Sequence, residues 1–374
     1  MAQDVIVVGG GVIGLTCGWR LAQHGLRVTV LEREVPGCGT SRVAAGMLAP
    51  IAEADLNEQP LLRLGARSAA LYPEFVQELR DIAGVDPGYL ACGALLTARD
   101  RDEAESLRRE ETVRAALELR VSRLLPGEAR ALEPALAPAL RLALDVPDDH
   151  AIDPRALVAA LVAASERAGV AVRRGASVER IELDDDRVAG VVLADGTRLA
   201  AGHVVIAAGP WSGSIGGLPG HARVPIRPVK GQIMRLHDPA GPGLLTRVLR
   251  MRPAYVVPRG DGRYVLGATM EERGFDMTVT AGAIYALLRD AIELLPGLSE
   301  LVIDELDAGL RPGTPDNAPL IGPGAAAGLH WATGHFRNGI LLAPVTAELV
   351  VASVLGEGPS TAFAPERFGS AVHA

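Results

Sequence analysis

Residues 4–14 read Asp-Val-Ile-Val-Val-Gly-Gly-Gly-Val-Ile-Gly, and this stretch decides the fold. Residues 4–8 form a continuous apolar run, which is typical of a strand buried on both faces of a parallel sheet. Gly9, Gly11 and Gly14 then have the spacing G-x-G-x-x-G, and apolar residues recur behind them at helical spacing. A strand, a glycine-rich turn and a helix in this order predict a Rossmann-like dinucleotide-binding unit.

The glycines of the turn have different physical tasks. Gly9 permits the tight turn, Gly11 lets the backbone approach a pyrophosphate, and Gly14 permits close packing of the helix on the strand. Glu32 ends the next apolar run, where a carboxylate hydrogen-bonds ribose hydroxyls. A glycine-rich surface turn with an unrelated glutamate is the plain alternative, and the strand and helix on either side of the turn disfavour it.

The segment after Glu32 distinguishes between the common dinucleotides. An NAD-binding unit continues with a helix and a strand that complete its half-sheet. Here a Gly-rich stretch covers residues 37–47, and no strand-length apolar run appears before about Leu61. The small residues leave room for a bulky flat ring system against the backbone, although a flexible loop is an alternative reading of the same stretch.

The chain returns to the nucleotide-binding pattern after residue 150. Asp153-Pro154 predicts the start of a helix that runs to about Ala168. A meander of short antiparallel strands is suggested by strand patterns at 170–173, 177–183, 187–193 and 197–200. The apolar run 203–208 ends at Gly209 and leads back to the first sheet, and this order of elements predicts FAD rather than NAD.

The length of 374 residues exceeds the ~100–200 residues of an ordinary domain, so we expect two domains. An apolar helix is predicted near the end of the chain, at 340–355, and residues 81–149 alternate helix-like charged stretches with Pro/Gly breaks. The predicted FAD-binding domain is discontinuous and comprises residues 1–80, 150–222 and 325–374. The predicted substrate-binding domain comprises residues 81–149 and 223–324.

Composition argues against several classes of partner. The net charge of −8 disfavours nucleic acid, because phosphate binding needs clustered basic residues. The spacing of Cys17, Cys38 and Cys92 is neither that of a disulfide framework nor that of metal ligands. The chain opens directly into the first strand, and no apolar stretch approaches the ~18 residues of a membrane span. We expect a cytoplasmic protein that binds no metal, no nucleic acid and no membrane.

Longer motifs extend over nearly the whole chain. The most specific of them lie at 44–48 (Ala-Ala-Gly-Met-Leu), at 255–258 (Tyr-Val-Val-Pro) leading to 267–270 (Gly-Ala-Thr-Met), at 309–314 (Gly-Leu-Arg-Pro-Gly-Thr) and at 334–344 (Gly-His-Phe-Arg-Asn-Gly-Ile-Leu-Leu-Ala-Pro). With the glycine turn, these motifs resemble the glycine oxidase branch of the D-amino-acid oxidase family of flavoproteins. The resemblance implies an α/β protein in which a Rossmann-like FAD-binding domain packs on an α+β substrate domain built on an antiparallel sheet.

The resemblance also implies the cofactor site. The residues that would contact FAD are Val12, Ile13, Glu32, Arg33, Thr40, Ser41, Ala45, Gly46, Met47 and Val178, with Gly9, Gly11, Gly14 and Gly209 in the turns beside it. The loop that would wrap the flavin ring comprises His335, Phe336, Arg337, Asn338, Gly339, Ile340 and Leu341. Related secondary-amine oxidases attach their flavin to a cysteine where this chain has Gly309, so we expect FAD to be bound non-covalently.

In the same family, Arg311 would hold the substrate carboxylate and Tyr255 would hydrogen-bond it, with Arg337 and Met270 lining the pocket. A planar guanidinium grips a carboxylate through two parallel hydrogen bonds, which explains the choice of residue. On the residues alone, Arg311 could instead pair with a nearby acid such as Asp307, and Tyr255 could be a core tyrosine. Where the family carries tyrosine and histidine near the substrate, residues 248–254 here contain Arg250, Arg252 and Pro253, and their effect on the pocket stays open.

The implied activity is oxidative deamination of glycine or another small amino acid. Hydride would pass from the substrate Cα to flavin N5, and O2 would reoxidise the flavin to give H2O2, glyoxylate (or the corresponding oxo acid) and ammonia. The family suggests a role in thiamine (thiazole) biosynthesis and a homo-oligomer, dimer or tetramer. Four alternatives stay open: a sarcosine or small D-amino-acid oxidase, a flavin dehydrogenase that uses another acceptor, an NAD-dependent dehydrogenase, and a non-catalytic flavoprotein.

Overall fold

The structure is a computed structural model that describes residues 3–357 and 362–368. The α-helices in these residues are α1 (Val12–Gln23), α2 (Thr40–Val43), α3 (Gln59–Ala83), α4 (Arg101–Ala116), α5 (Pro126–Leu132), α6 (Pro154–Arg167), α7 (Ala281–Leu294) and α8 (Ala343–Val354). The strands are β1 (Gln3–Val8), β2 (Val28–Leu31), β3 (Met47–Leu48), β4 (Tyr89–Leu90), β5 (Ala94–Ala98), β6 (Ser122–Leu124), β7 (Leu142–Val146), β8 (His150–Ile152), β9 (Ala171–Arg173), β10 (Val178–Asp184), β11 (Arg187–Leu193), β12 (Arg198–Ile206), β13 (Arg227–His237), β14 (Val248–Arg250), β15 (Tyr255–Pro258), β16 (Arg263–Gly267), β17 (Val302–Gly313), β18 (Leu320–Pro323) and β19 (Leu329–Thr333).

The first sheet is built around β1, as the opening sequence predicts. β1 pairs in parallel with β2 on one side and with β12 on the other, and β9 and β19 extend the parallel arrangement outward. Val5, Ile6 and Val7 have no exposed surface, because both faces of β1 are covered. Helix α1 follows the glycine turn directly and packs against α6 and α8 on one face of the sheet. The predicted Rossmann-like arrangement is confirmed.

The predicted meander is correct for β10, β11 and the start of β12, which are antiparallel, but two details are wrong. β9 does not belong to the meander and instead pairs in parallel with β2. The runs 197–200 and 203–208 are not separate strands, because β12 continues from Arg198 to Ile206. Its first half pairs with β11, and its second half lies between β1 and β19. Burial on both faces begins only in the second half, so the sequence pattern changes without a break in the strand.

The second sheet carries the order β17-β13-β16-β15-β14-β5-β7-β6 and is antiparallel except between β14 and β5. It confirms the antiparallel sheet that the family resemblance implied. The charged stretches of residues 81–149 form helices α4 and α5, as predicted, and the same part of the chain also contains strands β5, β6 and β7. Each of these strands is at most five residues long and has partners distant in sequence, so local pattern alone gives little sign of it. The domain boundaries themselves stay a prediction.

A small third sheet, β3-β8-β4, joins the segment after α2 to the strand that precedes α6. The last helix begins later than its apolar pattern suggests, because α8 starts at Ala343 and residues 339–342 form turns. None of the helices in the described ranges combines the length and the apolar character needed to cross a bilayer.

Candidate FAD and substrate site

A cavity of about 540 Å³ lies where the carboxyl ends of β1, β2 and β12 face the second sheet. With the exception of Gly14, every residue that the sequence predicts for the site lines this cavity. From the predicted cofactor site these are Gly9, Gly11, Val12, Ile13, Glu32, Arg33, Thr40, Ser41, Ala45, Gly46, Met47, Val178, Gly209, His335, Phe336, Arg337, Asn338, Gly339, Ile340 and Leu341, and from the predicted substrate pocket Tyr255, Met270 and Arg311. Crevices at the carboxyl ends of parallel strands are where open α/β sheets bind their ligands.

The glycine turn has the geometry of a phosphate cradle. Gly9 has a φ of +109°, and a Cβ there would lie 2.5 Å from the carbonyl oxygen of Ala207. Gly11 is the N-cap of α1 and has no side chain to cap the helix, and Gly11, Val12 and Ile13 at this helix start line the cavity. Gly14 faces the turn instead, since a Cβ there would lie 1.9 Å from the Gly9 carbonyl oxygen. It allows α1 to pack and does not line the cavity.

Two side chains fix the polar edge of this cradle. The Glu32 carboxylate accepts hydrogen bonds from the amides of Gly10 at 2.8 Å and Glu34 at 3.0 Å, which hold it beside the turn. Ser41 Oγ accepts from the Val12 amide at 3.0 Å. An acid at the end of β2 is the group that hydrogen-bonds the ribose of a dinucleotide, and the start of a helix behind a glycine turn is where its pyrophosphate binds. The residues present therefore fit the cofactor.

Trp211 is a cavity residue that sequence reasoning missed. The Arg33 guanidinium lies 3.7 Å from the centre of its indole ring, and the ring stacks on Phe275 at 6.0 Å between centroids. The only sign in the sequence was its position two residues after Gly209, at the end of the returning strand. The stack connects the cofactor end of the cavity to the segment that follows Met270.

Arg311 is held in place by backbone carbonyls. Its Nη1 donates to the carbonyl oxygens of Thr269 at 3.0 Å and Lys230 at 3.2 Å, and the guanidinium lies over Gly231, where a Cβ would be 2.4 Å from both Nη atoms. In the part of the chain that the structure describes, Arg311 has no acidic partner. Asp307, the alternative partner, pairs instead with Arg155 at 3.4 Å. An immobilised guanidinium that lacks a counter-charge can bind an anion.

Tyr255 projects from β15 over Gly267, where a Cβ would lie 2.6 Å from the phenolic oxygen. Burial raises the pKa of the Tyr255 hydroxyl, and the nearby Arg311 guanidinium opposes that rise. The hydroxyl is therefore protonated at neutral pH and can donate a hydrogen bond to an anion held by Arg311.

The other wall of the pocket contains an acid that sequence reasoning missed. The Glu53 carboxylate is paired with the guanidinium of Arg250, and the Glu53 carbonyl oxygen accepts from Arg337 Nη2 at 2.8 Å. Met270 is 65% exposed and lies at the rim of the cavity. Arg252 turns away from the cavity and pairs with Glu110. Glu53 lies outside the motifs of the sequence, so only the fold places it beside Arg250 and Arg337.

The loop from His335 to Leu341 is anchored on both sides. The Phe336 amide donates to the Pro312 carbonyl at 2.9 Å, with Phe336 at the positive φ of +48°, and Ser68 Oγ of α3 donates to the Leu341 carbonyl at 2.6 Å. His335 Nε2 lies 2.9 Å from Thr346 Oγ1, and burial lowers the pKa of His335 to about 3. His335 is therefore neutral and bound to α8, which leaves it poorly placed as a base.

Comparisons with known proteins agree with this geometry. The bifunctional protein ThiO/ThiG of Trichormus variabilis is 37% identical over 94% of this chain, but the chain spans about half of that relative's length, 52%. Glycine oxidase of Geobacillus kaustophilus is 36% identical over 96% of this chain and 94% of its own, and a crystal structure of glycine oxidase from the same organism matches with a TM-score of 0.91 over 100% of this chain and 99% of the other. Iminodiacetate oxidase from Chelativorans sp. is 30% identical and matches with a TM-score of 0.86, over 97% of this chain and 99% of the other.

A parallel sheet that ends in a phosphate cradle is the architecture of dinucleotide-binding proteins, and here the cleft beyond the cradle reaches a second, antiparallel sheet. Residues 4–353 match the family described as FAD dependent oxidoreductase, DAO. The chain belongs to this family, and FAD is its cofactor.

Proposed function

We propose that this chain catalyses the oxidative deamination of glycine or another small amino acid, with O2 as electron acceptor, giving H2O2, the oxo acid and ammonia. One observation carries the proposal: the Arg311 guanidinium, fixed by two carbonyls and lacking an acidic partner in the described chain, faces the cavity that also contains the dinucleotide cradle. The names of the glycine oxidase and ThiO/ThiG relatives support the substrate and a role in making the thiazole of thiamine.

The protein's own contribution is binding and orientation. Arg311 would bind the substrate carboxylate through the edge that its carbonyl contacts leave free, and Tyr255 would donate a further hydrogen bond. Such charge-assisted contacts contribute about 1.5–3 kcal/mol each. Anchoring the carboxylate fixes the Cα–H bond, and positioning of this kind lowers a reaction barrier by up to ~7–11 kcal/mol. Bound FAD would supply the redox chemistry, accepting two electrons from the substrate and returning them to O2.

No side-chain base is part of the proposal. His335 is the nearest histidine in the cavity lining, and its lowered pKa and its contact with Thr346 leave it neutral and occupied. The neutral amine of the substrate provides the electron pair, so its Cα–H bond can break without help from a basic residue. FAD is proposed to be bound non-covalently, and the homo-oligomer that the family suggests is tested by sedimentation of the purified protein.

Oxygen uptake tests the proposal. The purified, FAD-loaded protein should consume O2 with glycine, and catalase should return half of it. Arg311→Ala should raise KM at least tenfold while FAD stays bound, because a charge-assisted contact of about 1.5–3 kcal/mol is lost. Arg120→Ala is the matched control, because Arg120 pairs with Asp148 on the exposed surface. Reduction of a dye without oxygen uptake would establish the dehydrogenase alternative, and an unchanged KM in Arg311→Ala would remove Arg311 from the site.

A further inference from the structure

A second cavity adjoins the substrate end of the first and has a volume of about 380 Å³. Glu53, Arg250 and Arg337 line both cavities, so these three side chains form the boundary between them. A substrate anchored on Arg311 that is longer than glycine would meet this boundary. The chemistry of the boundary therefore bears on which amino acids the pocket accepts.

The boundary holds its guanidinium groups in fixed positions. Arg250 Nε is paired with Glu53, and Arg250 Nη1 donates to the carbonyls of Met251 at 2.6 Å and Ala254 at 3.3 Å. Arg337 Nη2 donates to the Glu53 carbonyl, but Arg337 Nη1 is 3.9 Å from Glu53 Oε2, too far for a hydrogen bond. Within the described residues, Arg250 Nη2 and Arg337 Nη1 have no hydrogen-bond acceptor.

Hydrogen-bond donors remain free at this end of the first cavity. Three guanidinium groups, those of Arg250, Arg311 and Arg337, line it with the Glu53 carboxylate, which pairs with Arg250. A substrate with a single carboxylate, bound to Arg311, leaves the free Nη groups of Arg250 and Arg337 without an acceptor in the described chain. Partly buried charges are favourable when they are paired, so a second anionic group on the ligand would complete the site.

We propose that Arg250, held by Glu53 and assisted by Arg337, is a second carboxylate-binding residue. The pocket then takes amino acids whose nitrogen carries a second substituent that ends in a carboxylate, with iminodiacetate as the simplest. This inference rests on the proposed function, and it assigns to the boundary the part of the substrate that Arg311 does not hold. Oxidation of one C–N bond of iminodiacetate would consume one O2 and one water and release one glycine, one glyoxylate and one H2O2. The two electrons of the broken Cα–H bond end on oxygen, and water cleaves the resulting C=N bond.

Two ether ligands test the proposal without any oxidation. Oxydiacetate has the shape of iminodiacetate, methoxyacetate has that of sarcosine, and the two differ by the distal carboxylate alone. Calorimetry on the FAD-loaded enzyme should give an oxydiacetate Kd at least tenfold below that of methoxyacetate. Arg250→Met should weaken oxydiacetate at least tenfold and methoxyacetate less than threefold. Arg120→Met is the control, because it removes the same charge from an exposed residue that lines neither cavity.

Equal affinity of the wild-type enzyme for the two ethers would overturn the proposal, and this comparison needs no variant to fold. An equal loss for both ligands in Arg250→Met would make Arg250 a structural residue and would also overturn it. The proposed function is tested separately: if glycine and sarcosine reduce the flavin while the ethers bind alike, only the inference fails. If no amino acid reduces the flavin, the proposed function fails whatever the ethers do.

Discussion

At the scale of single residues, the substrate pocket depends on two glycines, whose lack of a side chain leaves room for the groups above them. Gly231 and Gly267 lie on neighbouring strands of the second sheet, and the space above them is occupied by the guanidinium of Arg311 and the hydroxyl of Tyr255. The sequence identifies Arg311 and Tyr255 because they belong to recognisable motifs. The two glycines are not evident as partners of these residues, because the contacts form between strands that are distant in the chain.

The substitution Gly231→Ala tests this close approach. Its Cβ would lie 2.4 Å from both Nη atoms of Arg311, so the guanidinium must move away from the Thr269 and Lys230 carbonyls. We expect KM for the amino acid to rise about tenfold or more with FAD content unchanged. Gly282→Ala is the control, because a Cβ at Gly282 in α7 meets nothing within 4 Å. Equal KM values for Gly231→Ala and the wild type would show that Arg311 need not lie over Gly231.

The substitution Glu32→Gln tests the polar edge of the cofactor cradle. Glu32 accepts from two backbone amides, and an amide side chain can replace only one of its two oxygens as acceptor. We expect the dissociation constant of FAD to rise about tenfold, which corresponds to one lost charge-assisted contact of about 1.5 kcal/mol. The weaker binding is measured as the fraction of FAD that gel filtration removes from the protein, which is read from the fluorescence of the released flavin. A variant that retains FAD as tightly as the wild type would argue against a ribose contact by Glu32.

At the scale of elements, local patterns predicted β1, α1, α6, β10 and β11 well because each one has a single environment along its length. They failed where one element crosses two environments. β12 pairs first with the meander and then with the parallel sheet. The local patterns also failed for the loop that contains Glu53, because the Asp149 carboxylate holds this loop by accepting hydrogen bonds from the amides of Ile51 at 3.2 Å and Ala52 at 2.6 Å. Asp149 is 97 positions from Ala52 in the chain, so the sequence around the loop gives no sign of its conformation.

The contact between β12 and β19 makes stability depend on pH. His203 of β12 and His330 of β19 are 3.0 Å apart, and burial lowers the pKa of His330 from 6.5 to about 4. The folded protein thus keeps the His330 imidazole neutral, whereas the unfolded chain gains a proton there as the pH falls below 6.5. The contribution of His330 to stability is therefore complete above pH 6.5 and is lost as the pH falls towards 4. Over this pH range the free energy of unfolding decreases by an amount that approaches about 3 kcal/mol.

Urea unfolding of His330→Gln at pH 7 and pH 4.5 measures this contribution. The variant should lose less stability than the wild type between the two pH values. Burial raises the pKa of Asp149 to about 7, which gives a slope of opposite sign, but that slope is common to both proteins and cancels from the difference. Identical losses in the two proteins would mean that His330 is not desolvated in the folded state.

At the scale of the whole molecule, the connection between α6 and the second sheet is electrostatic as well as apolar. Arg155 of α6 donates to both carboxylate oxygens of Glu305 on β17, at 2.8 and 2.6 Å, and the Arg155 guanidinium holds the pKa of Glu305 at about 2. Arg42 reaches the same carboxylate at 3.3 Å. The length and the motifs of the chain predicted two domains, but the ion pairs between α6 and the second sheet depend on a packing that no motif encodes.

Replacing Glu305 with glutamine should weaken this connection. Arg155 and Arg42 would lose their shared counter-charge, and because the Glu305 side chain is 35% exposed we expect a loss in the free energy of unfolding of only about 1 kcal/mol. Glu179→Gln is the control, because Glu179 is 59% exposed and its partner Arg180 is 3.7 Å away. Chemical denaturation at pH 7 compares the two, and equal midpoints would show that the Glu305 contacts contribute nothing.

The central claim is that one cavity brings an amino acid, held by Arg311, against bound flavin. An anaerobic titration of the FAD-loaded protein with glycine and with sarcosine tests it most directly, read from the visible absorption of the oxidised flavin. We predict that at least one of them bleaches the flavin, and that Arg311→Ala needs at least tenfold more of it. A flavin that stays oxidised with both amino acids, yet is bleached by dithionite, would contradict the account.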